Sequence, residues 1–302
     1  MNETAPPKEL SFVKENRFYL SDSFSLFVHQ WFSENPPRGI VFFVHGMIEH
    51  SGRYEDWGRY LAAHGFDVYA IDQRGHGRSD GPRLWVRSFD DFVGDFCAFV
   101  RAGAAQFPSR PVFIAGMSMG GGTVIRSAVR LQNEIPNFAG TILIAAAIRT
   151  NPYLYPTLRF FAPLFDILIP KLRFLKPGIG GLAVSKKTRE EFRNDPYVCR
   201  ERMTVRFGAE NVKALKYNRR CAPKITSPIL ICQGQADQIV HPPGAEQFYQ
   251  NTASPDKTLK LYPRFGHDLL HEEGSQTAWD DILGWLEAHT ETPAEKNPGE
   301  ER

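Results

Sequence analysis

The stretch "AGMSMGGGT", residues 115–123, follows the apolar run Pro111-Val112-Phe113-Ile114 and leads into a segment with helical periodicity. Glycine in a helix interior costs roughly 1 kcal/mol against alanine, so a helix that starts on three glycines is locally unfavourable. Gly116-Met117-Ser118-Met119-Gly120 has the G-x-S-x-G spacing, set between an expected strand and an expected helix. There a serine sits on a sharp turn where a Cβ on either flanking position would clash, which accounts for the glycines sterically. The helix start also aims amide donors and a positive dipole end at negative charge developing beside the serine. A Walker phosphate loop would need Gly-Lys-Ser/Thr, and this stretch has no lysine.

Outward from this turn the chain alternates apolar runs with helical patterns. The runs at 39–46, 66–75, 111–116, 140–146, 228–234 and 257–263 are nearly continuous in β-branched and aromatic residues. Such content marks strands buried on both faces, hence an α/β fold with a mostly parallel sheet covered by helices. Helices are expected around 54–64, 89–107, 121–132, 244–252 and 275–289, and an antiparallel hairpin from NRFYLS and SLFVHQWFS. In 121–132 Val124, Ile125, Ala128 and Leu131 share one face, with Arg126 and Arg130 pointing away. The alternation breaks at 150–223, a stretch without a good strand that holds a Pro-broken apolar segment. Residues 1–149 and 224–290 then form the core, 150–223 an inserted helical cap, and the polar 291–302 a disordered tail.

With 36 Lys+Arg against 34 Asp+Glu, the 302-residue chain carries a net charge of +2 and no basic stripe, which argues against nucleic acid as a partner. The polar start MNETAPPKELSF lacks the pattern of a secretory signal, and no apolar run is long enough to span a bilayer. Cys97, Cys199, Cys221 and Cys232 are scattered, with neither metal-ligand spacing nor a disulfide framework. Reduced thiols in a cytoplasmic protein are the expectation.

A serine hydroxyl is a poor nucleophile at neutral pH and needs a base, itself oriented by an acid. On this architecture the acid and the histidine follow the serine in that order, in loops after later strands. The run PILICQG is followed by Asp237, and KTLKLYP by His267. His271, four residues on, is an alternative base. The slot after GTILIAA offers no carboxylate. Backbone N–H groups of Met119 and of Met47, in the loop after GIVFFVHG, are placed to form an oxyanion hole. No metal or organic cofactor is required by this chemistry.

In "HGMIEHSGRYEDWGRYL", "IDQRGHGRSDGPR", "GMSMGG", "NDPYVCRERMTVRFG", "QGQADQIV" and "DKTLKLYPRFGHD", taken in that order, the chain resembles the monoacylglycerol lipases of the serine α/β-hydrolase group. The resemblance covers most of 37–290. It implies an α/β-hydrolase fold, a helical cap over the active site, Ser118, Asp237 and His267 as the triad, and Met47 and Met119 as oxyanion donors. It further implies that Glu49 and Arg53 shape a polar hole for the glycerol end, and that the reaction is hydrolysis of the single ester of a monoacylglycerol. Lysophospholipids and general carboxylic esters use the same machinery; a non-catalytic relative would be expected to lack a triad member. Met117 stands where the family often has histidine, and Val240 near a position where it sometimes has cysteine. The three methionines Met47, Met117 and Met119 are expected around the nucleophile. The insertion's Tyr153, Leu154, Leu158, Phe160, Phe161, Leu164, Phe165, Ile167, Leu168 and Ile169 suit a long-chain acyl ester, and with Arg159, Lys171 and Arg173 also a peripheral membrane contact.

Overall fold

The apolar runs assemble around one sheet in the computed structural model of the protein, which describes residues 13, 16–151, 165–176 and 185–290. The strands are β1 (Arg17–Ser21), β2 (Phe24–Trp31), β3 (Gly39–Val44), β4 (Phe66–Ile71), β5 (Val112–Met117), β6 (Phe138–Ile144), β7 (Arg173–Leu175), β8 (Met203–Thr204), β9 (Ile229–Gly234) and β10 (Lys257–Tyr262). Eight of them form a sheet in the order β1-β2-β4-β3-β5-β6-β9-β10. β2 is antiparallel to β1 and β4, and the remaining pairings are parallel. Every residue of β3, β4, β5 and β9 is buried, as strands covered on both faces require.

The helices are α1 (Glu55–Ala63), α2 (Phe89–Ala104), α3 (Met119–Leu131), α4 (Lys186–Asn194), α5 (Val205–Cys221), α6 (Pro242–Asn251) and α7 (Gln276–Ala288). Alternation along β3 sorts the core into two layers. Ile40, Phe42 and Val44 face α2 and α3 through Phe96, Phe99, Val124 and Ile125. Val41 and Phe43 face α1 and α7 through Trp57, Leu61, Ile282 and Trp285. α2 begins sharply because Ser88 and Asp91 form a capping box.

The strand order reverses at β3: the chain steps outward to β4, then returns to lay β5 on β3's other side. In open parallel sheets this switch point leaves a crevice beyond the strands' C-terminal ends, where ligands bind. The loop after β3 and the turn after β5 flank it.

Between 150 and 223, where the sequence suggested no good strand, β7 and β8 pair in a short antiparallel ribbon. The last helix of this stretch, α5, lies against α3 and α2. Its Asn218 Nδ2 and Arg219 Nη1 donate to the carbonyls of Ala147 and Ile148, both at 3.0 Å. This packing corrects the reading of α3. Arg126 does not point into water but is buried, its guanidinium over the Phe89 and Tyr217 rings and paired with Asp90. Arg130 stays exposed and reaches the same carboxylate.

Phe42 is fully buried between Tyr69 and Phe99. Phe42→Ala is expected to lower unfolding free energy by about 3–5 kcal/mol in a urea titration.

Candidate active site

Ser118 stands between β5 and α3 with φ 53° and ψ −116°, a left-handed conformation uncommon for any residue with a Cβ. The turn is tight because α3 starts immediately against β3. A Cβ on Gly120 would strike the carbonyl oxygens of Val44 and His45, and one on Gly116 would meet the Gly120 backbone at 2.7 Å. The serine's amide donates to Ile144 O at 3.0 Å, and its carbonyl accepts from Gly122 and Ala147 N–H at 3.0 and 2.8 Å. With both backbone groups held, the side chain projects into the switch-point crevice.

The loops after β9 and β10 bring the other expected residues to it. His267 Nε2 lies 2.9 Å from Ser118 Oγ, and His267 Nδ1 lies 2.8 Å from Asp237 Oδ2. Asp237 also accepts from Gln233 Nε2 at 3.1 Å and from the Ile239 and Val240 amides at 2.8 and 2.9 Å. Burial alone would favour the neutral imidazole, but the Asp237 charge and hydrogen bond outweigh it and raise the His267 pKa above its ordinary value. Burial likewise opposes ionisation of Asp237, yet His267 and the two amides hold its pKa below the usual carboxylate range. His271 has both ring nitrogens engaged away from Ser118: its Nδ1 faces Asp268 Oδ1 at 2.5 Å and its Nε2 the Arg53 carbonyl at 2.9 Å.

On the other flank, a Cβ added at Gly46 would stand 3.2 Å from Ser118 Cβ, so the loop after β3 passes directly beside Ser118 at Gly46. Met119 is the first residue of α3, where helix geometry leaves the amide without an intrahelical acceptor. Glu49 and Arg53 are brought together as a buried pair at 3.2 Å beneath this loop. Glu49 Oε1 accepts from the Gly46 amide and the Tyr54 hydroxyl, both at 2.7 Å, and Arg53 Nη2 reaches Asp268 Oδ2 at 3.4 Å. Their first partners are therefore the protein itself. Asp268 was missed in the sequence because its link to Arg53 spans 215 residues, which leaves only the three-residue spacing to His271 as a local signal. Glu49's grip on Gly46 N–H has only its three-residue spacing as a signal.

The methionines gather only in part: Met47 packs against the layer that holds Met119, while Met117 lies in the other. Met117, on the β5 face opposite Gly116, packs in the α1–α7 layer, where the Tyr54 hydroxyl lies 3.2 Å from its Sδ. Met119 is buried in the other layer, and Met47 alone is half-exposed. The four cysteines are free and buried. Burial pushes the Cys199 thiol up to about 11 and Cys232 up to about 12, so neither is poised as a thiolate.

A hydroxyl hydrogen-bonded to an oriented imidazole, on a strand-to-helix turn, is the machinery of a serine hydrolase on an α/β-hydrolase fold. The family model described as serine aminopeptidase, S33, matches residues 35–274. The chain is 33% identical over 281 residues to the monoglyceride lipase of Homo sapiens, covering 92% of each chain. It is 29% identical to the monoacylglycerol lipase of Mycolicibacterium smegmatis, over 86% of this chain and 91% of that one. Among solved structures, a soluble variant of the Saccharomyces cerevisiae monoglyceride lipase in complex with a substrate analog superposes with a TM-score of 0.82 at 26% identity, covering 95% of this chain and 98% of that one. The chain belongs to the monoglyceride lipase family of the α/β-hydrolase superfamily.

The two pKa shifts set a window for the stability that the His267–Asp237 pair contributes. A depressed carboxylate stabilises above its unfolded pKa, and that contribution is lost as pH falls through the folded value. A raised histidine stabilises below its unfolded pKa and loses this as pH rises through the folded value. The Tm advantage of wild type over Asp237→Asn is expected to be widest between about pH 4 and 6.5 and to narrow at higher pH. A gap that widens toward alkaline pH would contradict the pairing.

Proposed function

We propose that the protein hydrolyses the ester bond of monoacylglycerols to free fatty acid and glycerol through an acyl-enzyme on Ser118. The observation that carries this reading is the hydrogen-bonded line Ser118–His267–Asp237 at 2.9 and 2.8 Å. His267 takes the serine proton as Oγ attacks the ester carbonyl, Asp237 stabilises the imidazolium, and the proton passes on to the departing glycerol oxygen. Water then attacks the acyl-enzyme with His267 again as base, the bond from Ser118 Oγ to the acyl carbon breaks, and His267 returns the proton to Oγ as the fatty acid leaves. The N–H groups of Met47 and Met119 receive the oxyanion in both steps. The human and yeast relatives are monoglyceride lipases by name, which supports the same substrate class here.

The glycerol end sits against the polar 46–53 loop, whose Glu49–Arg53 pair supplies a charge-balanced floor. The acyl chain takes the apolar side, under residues 150–223 acting as a cap. Tyr153, Leu154, Leu158, Arg159, Phe160, Phe161 and Leu164 lie outside the described residues. Ile167 and Leu168 are 77% and 65% exposed, beside the exposed Leu172 and the cations Lys171 and Arg173. This pairing of bare apolar surface with positive charge supports a peripheral contact with an anionic membrane surface in the cytoplasm. No described helix is long and apolar enough to cross a membrane.

Ser118→Ala is expected to abolish labelling by a fluorophosphonate probe and to lower kcat by at least about 10⁴-fold. In a panel of monoacyl-, diacyl- and triacylglycerols and lysophospholipids, monoacylglycerols are expected to give the highest kcat/KM; a lysophospholipid ahead of them would reassign the substrate. For the membrane contact, liposome flotation of wild type against Ile167→Ser/Leu168→Ser is expected to show reduced binding of the double variant. Equal binding counts against the cap as the contact.

A further inference from the structure

Ile48 follows Met47 and has φ 65°. A β-branched residue in the left-handed region is a genuine outlier, because its Cβ is crowded by its own backbone. The side chain is buried in the core, and the carbonyl accepts the Cys199 N–H at 2.7 Å. Leu84 repeats the arrangement with φ 47°, its carbonyl accepting the Thr204 amide at 3.2 Å and the Thr204 hydroxyl at 3.0 Å. Two strained core residues thus hand their carbonyls to one stretch of the 150–223 segment. Two more contacts press that stretch onto the loop after β3, and a third ties it to the loop after β4. His50 Nε2 lies 2.8 Å from Asp195 Oδ2, the His50 and Tyr197 rings meet edge to face at 5.5 Å, and the Arg78 guanidinium lies 4.6 Å over the Tyr197 ring.

We propose that the strap Asp195–Cys199 is a positioning element for the Met47 amide: it holds Ile48 in a conformation isoleucine does not keep unaided, so the oxyanion hole is assembled only while the strap is seated. The inference rests on the reading of Met47 as an oxyanion donor. Strained backbone persists only where its surroundings over-determine it. Upstream, Glu49 holds Gly46 N–H; downstream, the strap holds Ile48 O and His50. With the strap lifted, Ile48 relaxes toward negative φ and the Gly46–Met47 segment turns away from Ser118. Because the hole is filled only as negative charge develops on the carbonyl oxygen, the loss falls on kcat and leaves KM nearly unchanged.

The test places Asp195→Ala and Tyr197→Ala each in three backgrounds: wild type, Ile48→Gly and Ile48→Ala. Both substitutions at 48 remove the same buried side chain, but only glycine accepts a positive φ freely. A soluble short-chain p-nitrophenyl ester keeps membrane and chain-length effects out of the rates. In the wild-type background the strap variants are expected to lower kcat by about 10²-fold with KM little changed. In Ile48→Gly the same strap changes cost far less, and in Ile48→Ala they cost as much as in wild type. Equal kcat losses in all three backgrounds, or no loss in wild type, overturn the proposal. With the strap intact, Ile48→Gly is also expected to melt higher than Ile48→Ala, a comparison that needs no activity; alanine melting at or above glycine overturns it. Failure of the hydrolase reading itself is read separately, as ester hydrolysis that survives Ser118→Ala.

Discussion

The close approach of the β5–α3 turn to the end of β3 is the constraint on which the rest of the site depends. α3 starts so near the Val44 and His45 carbonyls that position 120 admits no side chain, and the serine between strand and helix takes a φ of 53°. That approach puts Ser118, a helix N-terminus and the loop after β3 at one switch point of the sheet. The loops after β9 and β10 then need only reach inward to bring Asp237 and His267 to Ser118. The local strain is carried by a sheet buried on both faces, where a relaxed turn would cost packing against the strands and helices around it.

A second layer of organisation is electrostatic. Two carboxylate–histidine pairs lie side by side in buried surroundings, Asp237–His267 and Asp268–His271. They do different things because of what occupies the far nitrogen: a serine hydroxyl in one case, a backbone carbonyl in the other. Asp268 continues through Arg53 and Glu49 to the Gly46 amide, so the loop after β10 and the loop after β3 share one chain of ion pairs and a hydrogen bond. Charges this deep persist only when each is answered by a partner. Arg53 accordingly lies between two carboxylates and over the Phe192 ring.

Much of the fold was legible because its signals are local. Six apolar runs and the helices between them can be found from composition and period, and β3, β4, β5, β6, β9 and β10 lie within a few residues of those runs. The hairpin, the parallel sheet and the turn at Ser118 follow from the same patterns. Arg126 was misread because helical periodicity says which side of α3 faces the sheet, not that α5 closes over the other side. Met117 was placed near the substrate by its neighbour in sequence, although alternation along β5 sends it to the opposite face of the sheet.

The sequence by itself determined the class of chemistry: a serine in G-x-S-x-G after a strand, then an acid and a histidine after later strands. Backbone geometry at strand ends is set by nearby residues, so it can be read without the rest of the chain. Only the tertiary structure set His267 against Ser118 and His271 against the Arg53 carbonyl, brought Glu49 and Arg53 together as a buried pair under the loop after β3, and set Cys199 and Asp195 on the loop that carries Met47. Each of those outcomes depends on contacts or desolvation from segments up to 218 residues apart, which no local pattern encodes.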